Sequence, residues 1–214
     1  MAYLISVLIG YGLGCISPSY IVARLNGFDI REKGSRNAGA SNIVLTLGKA
    51  RGFLCAAFDI AKAALAVLIT GWIFTDTDTF AVTAAAAILG HIFPFYMGFR
   101  GGKGLACLGG VVLAYDLRVF GIMIAAELVI LLVSRYICFV PITAAIVFPF
   151  VYGFMRRDLW GALLLGAVAV VIFWRHRVNL RRIIQGSELR ITYLWNREKE
   201  VKRLKKFYPN EEDT

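Results

Sequence analysis

The amino-acid sequence predicts an all-α integral membrane protein of about seven transmembrane helices, because apolar runs of nearly bilayer length recur along the chain. Of its 214 residues, 58% are hydrophobic and only 18% are charged, which leaves too little polar side chain to cover a water-facing surface. The formal net charge of +10 is gathered between and after the apolar runs, where basic residues set topology and meet anionic headgroups. That placement argues against nucleic acid as a partner, since no basic face runs along a polar domain.

The expected spans are residues 2–22, 53–73, 82–99, 105–114, 119–132, 137–154 and 159–174. The first has no small-residue cleavage site and reads as an anchor, not a removed signal peptide. The fourth is too short to cross unaided and is expected to be extended, tilted or re-entrant. The loop from Arg24 to Arg51 carries six basic residues, Arg24, Arg31, Lys33, Arg36, Lys49 and Arg51, and should be cytoplasmic. The loop with Asp76 and Asp78 has no Lys or Arg and should lie outside. Alternation then puts the N-terminus outside and Arg100, Lys103, Arg135 and the C-terminus inside, against the vote of Arg118, Arg156 and Arg157. Residues 1–188 read as the membrane domain. Residues 189–214 read as a basic cytoplasmic tail, with an amphipathic helix over 189–207 and a disordered acidic end at Glu211, Glu212 and Asp213.

Inside the spans, Asp59 and Lys62 stand three residues apart and are expected to pair on one helical face. Glu127 lacks a local partner and should face the bundle interior. Cys15, Cys55, Cys107 and Cys138 form no CxxC pair and read as small packing residues, with no metal site implied.

Three polar segments carry the candidate chemistry, and the topology puts all three on one face. In the first, residues 34–42, Gly34 and Gly39 let backbone approach a ligand, while Ser35, Asn37, Ser41 and Asn42 offer neutral polar groups beside Arg36. The same residues also suit an ordinary loop in which Ser41 or Asn42 caps a helix. In the second, His91 and Pro94 precede Gly101-Gly102-Lys103-Gly104, where amides, a helix N-terminus and a lysine would converge on phosphate. The alternative is a flexible basic turn. The GxxxxGK[ST] spacing is absent, so nucleotide hydrolysis is not indicated. In the third, His176 and Asn179 share a helical face if the last span continues, as an acid/base and a hydrogen-bond donor, or as the arginine-rich end of a span. Gly186 and Glu188 follow.

Together with Tyr20-Ile21-Val22-Ala23-Arg24-Leu25, Asp29-Ile30-Arg31 and Phe58-Asp59-Ile60-Ala61-Lys62, these segments resemble, in order and over nearly the whole chain, the acyl-phosphate:glycerol-3-phosphate acyltransferase (PlsY) family of bacterial inner-membrane enzymes. The resemblance implies a seven-helix acyltransferase of phospholipid synthesis, in the cell inner membrane with its active face cytoplasmic. It implies transfer of a fatty acyl group from acyl phosphate to the 1-hydroxyl of glycerol 3-phosphate, giving lysophosphatidic acid, with no metal or other cofactor. By it, Ser35, Lys103, His176 and Asn179 are the expected catalytic residues. Gly34, Arg36, Asn37, Gly39, Ser41, Asn42, His91, Gly101, Gly102 and Gly104 bind substrate, and Asp59, Lys62 and Glu188 are structural, Glu188 through arginine contacts to the tail. A monomer amid membrane lipids is expected.

The chain departs from the family at four places. Arg36 replaces the second glycine of Gly-Ser-Gly-Asn, Leu45 stands where an arginine is usual, Cys138 and Pro141 replace serines, and Ser41 replaces a threonine. Arg36 is a candidate to supply the missing guanidinium. A paralogue with another acceptor or donor, and a small-solute or phosphate transporter, are the competing readings. The transporter is favoured by Asp59, Lys62 and Glu127 and disfavoured by the absence of an internal repeat.

Overall fold

The computed structural model describes residues 1–204, and within them every regular element is helical. The acidic end at Glu211, Glu212 and Asp213, and the last residues of the expected tail helix, lie outside the described residues. Six helical segments are long and apolar enough to cross a membrane, and a shorter apolar helix, Leu105–Tyr115, packs among them. The chain is a multi-pass membrane protein. Large apolar side chains such as Trp72, Phe154 and Trp160 point outward, as lipid-facing residues must.

The first span is not one helix. It breaks into α1 (Ala2–Cys15) and α2 (Pro18–Leu25), because Pro18 has no amide to continue the ladder and Ser17 caps the new helix by accepting from Tyr20 N at 3.3 Å. A break at membrane depth frees backbone groups that need partners. Tyr96 supplies two: its hydroxyl donates to Cys15 O at 2.9 Å and accepts from Ser17 N at 3.2 Å. Lys62 Nζ supplies the third by donating to Ile16 O at 2.5 Å.

A loop leads to α3 (Ala40–Leu47), and Gly48, at φ +92°, turns the chain into the 25-residue α4 (Lys49–Ile73). The next helix, α5 (Phe80–Ile92), is the most enclosed, with Ala84, Ala85, Ala86 and Ala87 all buried. Small residues bring α1 against it: a Cβ on Gly10 would stand 2.7 Å from Thr83 O, and one on Gly90 would stand 2.5 Å from Tyr11 O. Helix α5 stops at Ile92, short of the expected end at residue 99, because Pro94 cannot continue it; a 3-10 turn, Phe95–Met97, follows.

After the Gly-rich loop comes α6 (Leu105–Tyr115), then α7 (Leu117–Ser134), capped by Asp116, and α8 (Phe139–Arg156). Helix α7 lies at the rim with no buried residue. Glu127 is therefore not in the bundle interior. It is half-buried against α8, where Thr143 Oγ1 donates to its carboxylate at 2.7 Å. Helix α9 (Leu159–Ile184) runs ten residues past the expected end of the last span, about 15 Å further. The tail does not form one helix from residue 189: a 3-10 turn, Ile191–Leu194, precedes α10 (Arg197–Leu204).

Contacts at the two ends fix which loops share a side. At one end Arg31 Nη1 donates to Met97 O, Ile191 N donates to Arg135 O, and Lys103 Nζ reaches Asn179. At the other, Arg156 lies 3.8 Å from Asp78 and over the Tyr115 ring, beside the stacked Phe80 and Tyr152. The polar segments share the first end, as charge alternation implies. The four cysteines are buried and free, in keeping with packing roles.

Candidate active site

Residues 30–39 form a loop built around one side chain from the first turn of α3. Asn42 is fully buried, and its Nδ2 donates to Ile30 O, Lys33 O and Asn37 O at 2.9, 2.9 and 3.0 Å, while Oδ1 accepts from Ser35 N at 2.9 Å. Its donors are all engaged within the loop, so Asn42 shapes that loop. The N-cap of α3 is Gly39, neither Ser41 nor Asn42. Gly34 and Arg36 both take left-handed backbone, at φ +57° and +59°. A glycine suits either position, so Arg36 occupies a conformation disfavoured for a residue with a Cβ. Before this loop, Asp29 receives Arg24 at 2.9 Å and Arg31 at 2.6 Å, and hydrogen bonding from Arg31 holds its carboxyl down at about 2. Arg31 in turn grips Met97 O and ties this loop to the end of α5.

The Gly101–Gly104 segment is hooked onto that same end. Gly101 N donates to Ile92 O at 3.0 Å and Gly102 N to His91 O at 3.1 Å. Those two amides are occupied and do not cradle an anion. The amides left open are those of Lys103 and Gly104 and of the first turn of α6. Gly102 is required by close approach, since a Cβ there would run into the His91 ring.

His91 lies beneath the loop and does not line it. It is 5% exposed, with Nδ1 at 3.3 Å from Asp59 Oδ1 and 3.2 Å from Lys62 Nζ; Lys62 and Asp59 are 2.6 Å apart. The expected Asp59–Lys62 pair thus takes in His91 as a third member. Asp59, His91 and Cys107 bring potential ligand atoms within 4.8 Å of one another. The Lys62 ammonium already fills the place a metal ion would take against Asp59, so the donor set does not fit a metal.

On the other side of the loop, Lys103 Nζ donates to Asn179 Oδ1 at 2.5 Å, and Asn179 Nδ2 donates to Glu188 Oε1 at 2.6 Å. Burial lowers the Lys103 ammonium to about 8; Arg182 and Arg175 push it the same way and Glu188 opposes them. Burial raises the Glu188 carboxyl, whose Oε2 is enclosed without a partner. The Arg182 and Arg203 charges both reach the Glu188 carboxylate. That carboxylate serves Asn179, and the Glu188 main-chain carbonyl, with that of Gly186, accepts from Arg203, both at 2.5 Å.

His176 is buried one turn before, with Nδ1 2.8 Å from Ile172 O. A carbonyl only accepts, so Nδ1 of the neutral ring carries the proton and Nε2 keeps its lone pair. His176 and Asn179 share the α9 face that meets Lys103, as their spacing predicts. Ser35 is half-buried in the first loop, and no side-chain bond joins it to Lys103, His176 or Asn179 among the described residues.

Arg175 escapes a reading by motif. It looks like one more basic residue at a span end, yet its Nη2 donates to Gly101 O at 3.1 Å and approaches Gly102 O at 3.4 Å. The available signal is its spacing of four from Asn179, which puts both on one face. At the departures from the family pattern, Leu45 lines a cavity of about 520 Å³ shared with Tyr193, Leu194 and Trp195. Cys138 and Pro141 are buried at the start of α8. Burial pushes the Cys138 thiol up to about 12, and it lies close enough to feel both Glu188 and Lys103.

Helices spanning a bilayer, with a half-buried lysine and open amides at one end, define a multi-pass membrane protein whose site suits a phosphorylated ligand. The family profile described as glycerol-3-phosphate acyltransferase matches residues 4–186. The chain belongs to that family. It is 38% identical over 194 residues to a glycerol-3-phosphate acyltransferase of Aquifex aeolicus, covering 89% of this chain and 100% of that one. It is 36% identical over 186 residues to one of Thioalkalivibrio sulfidiphilus, covering 86% and 92%. It also resembles a crystal structure of PlsY, an integral membrane glycerol 3-phosphate acyltransferase, in its glycerol 3-phosphate form, with a TM-score of 0.82 and 33% identity over 91% of this chain and 98% of that one. A lysophosphatidic acid form of PlsY matches with a TM-score of 0.78.

Proposed function

We propose that the protein transfers a fatty acyl group from acyl phosphate to the 1-hydroxyl of glycerol 3-phosphate, with the site end in the cytoplasm and the acyl tail in the bilayer. The observation that carries this is the Lys103–Asn179–Glu188 chain beside open amides at the start of α6, in a chain of this family. Lys103 neutralises phosphate. Asn179 and His176 orient the reacting groups, and Ser35 and Asn37 present the first loop to the substrates. The hydroxyl oxygen attacks the acyl carbonyl carbon, the carbon–oxygen bond to phosphate breaks, and the leaving phosphate takes the hydroxyl proton. Acyl phosphate is a mixed anhydride and already activated, so positioning and charge stabilisation are what the protein has to add. No acyl-enzyme forms.

The test is to supply purified protein with synthetic acyl phosphate and glycerol 3-phosphate, with acyl-coenzyme A in parallel, and to look for lysophosphatidic acid. Product from acyl phosphate alone is expected. Product only from the coenzyme A thioester, or none from either donor, would overturn the proposed donor and reaction. Leu45 in place of the usual arginine favours one second reading, a different phosphorylated acceptor, which a panel of acceptors in the same assay separates.

A further inference from the structure

The Gly101–Gly104 loop is held from two sides by different chemistry. Its amides are fixed by the Ile92 and His91 carbonyls at the end of α5, and its carbonyls face α9. Among the described residues the cation that meets them is Arg175, whose Nη2 lies 3.1 Å from Gly101 O and 3.4 Å from Gly102 O, and whose guanidinium sits 5.9 Å from the Phe93 ring centre. Arg175 Nε is enclosed and has no hydrogen-bond partner, so the side chain is held in place by its grip on the loop and by packing, not by full satisfaction of its own donors. One turn along the same face, Asn179 takes the Lys103 ammonium. Helix α9 therefore grasps successive residues of one loop through two side chains four positions apart.

We infer that Arg175 is a positioning residue for the acyl-transfer site: by clamping the Gly101 and Gly102 carbonyls it sets where the Lys103 ammonium and the open amides of Lys103 and Gly104 meet the substrate phosphate. The inference rests on the acyltransferase reading for its kinetic consequence, though not for its structural one. Two physical effects support it. A cation at the carbonyl side of a peptide polarises it and strengthens the amide dipole facing the anion. Arg175 is also one of the charges that reach Lys103, together with Arg182, Glu188, Cys138 and His176, and it acts in the direction that keeps the ammonium easier to deprotonate.

The experiment compares wild type with Arg175→Gln and Arg175→Lys. The first readout needs no substrate: the rate at which a small amine-acylating reagent modifies Lys103, followed across pH by mass spectrometry of the intact membrane protein. Arg175→Gln should raise the midpoint of that curve by roughly half a unit or more, and Arg175→Lys should return it toward wild type. The second readout is the KM for glycerol 3-phosphate, expected to rise about tenfold in Arg175→Gln, the worth of a charged hydrogen bond, with kcat less affected and partial rescue in Arg175→Lys. An Arg175→Gln protein with a wild-type labelling curve and KM, differing only in melting temperature or yield, would make the residue merely structural and overturn the inference. If wild type forms no lysophosphatidic acid, the function fails by that control, and the labelling curve still decides the role of Arg175.

Discussion

Two buried polar chains flank the Gly101–Gly104 loop, and they are built differently. Beneath it, Asp59, Lys62 and His91 close on one another, with the spare Lys62 donor directed at Ile16 O in the helix break. Beside it, Lys103, Asn179 and Glu188 form an open line, with an enclosed Glu188 oxygen lacking a partner at one end and an ammonium with donors to spare at the other. The first group pairs its charges, although Asp59 Oδ1, like Glu188 Oε2, lacks a hydrogen-bond partner, and paired charges stabilise geometry. A chain left incomplete at a site keeps capacity for a ligand. The two lie on opposite faces of one loop, so the first makes the second possible.

The sharpest way to break this contrast is to remove one member of the closed chain. Asp59→Ala leaves the Lys62 charge buried without a counter-ion and should destabilise the protein by about 3–5 kcal/mol, read as a large drop in melting temperature and folded yield. A well-folded, fully active Asp59→Ala protein would mean the chain is not the loop's foundation. Lys103→Gln should do the opposite: near-normal melting, with kcat/KM for glycerol 3-phosphate down about 10²–10³-fold. The wild-type pH profile should show the same division. With Lys103 lowered to about 8 by burial, the ammonium is lost as pH rises through that value, so kcat/KM should fall there, where an ordinary lysine would stay charged to beyond pH 10. A flat profile to pH 9.5 would remove Lys103 from phosphate binding. The smallest effect sharpens the picture at the first loop. Arg36→Gly should relieve the left-handed strain and gain about 1 kcal/mol, visible as a modest rise in melting temperature. If activity falls at the same time, the guanidinium at residue 36 serves the substrate; if activity holds, it does not.

Charge alternation and apolar run length made the multi-pass helical fold and the shared end of the polar segments legible in the sequence, because both follow from what lipid excludes; six helices reach spanning length where about seven spans were expected, the short one being Leu105–Tyr115. The break at Ile16–Ser17 was hidden by its surroundings: Pro18 signals it, yet the partners that make it tolerable, Tyr96 and Lys62, are far away in the chain. The Gly-rich loop was recognisable, but which of its amides remain open depends on its pairing with His91 and Ile92, and no local pattern encodes that. His176 and Asn179 were readable as a pair from their spacing. The purpose of Arg175 was not, because Trp174 before it and Arg177 two residues after it make the stretch look like a snorkelling helix end.

No residue of α7 is fully buried; the helix meets the rest of the described protein chiefly at α6 and α8, through half-buried Val119, Phe120 and Met123 and the Thr143–Glu127 hydrogen bond. Its attachment is thus delegated to the surrounding hydrocarbon. Stripping annular lipid with a short-chain detergent should fray this rim element first, seen as early loss of hydrogen-exchange protection over residues 117–134, while the Gly-rich loop and its supporting helices keep theirs.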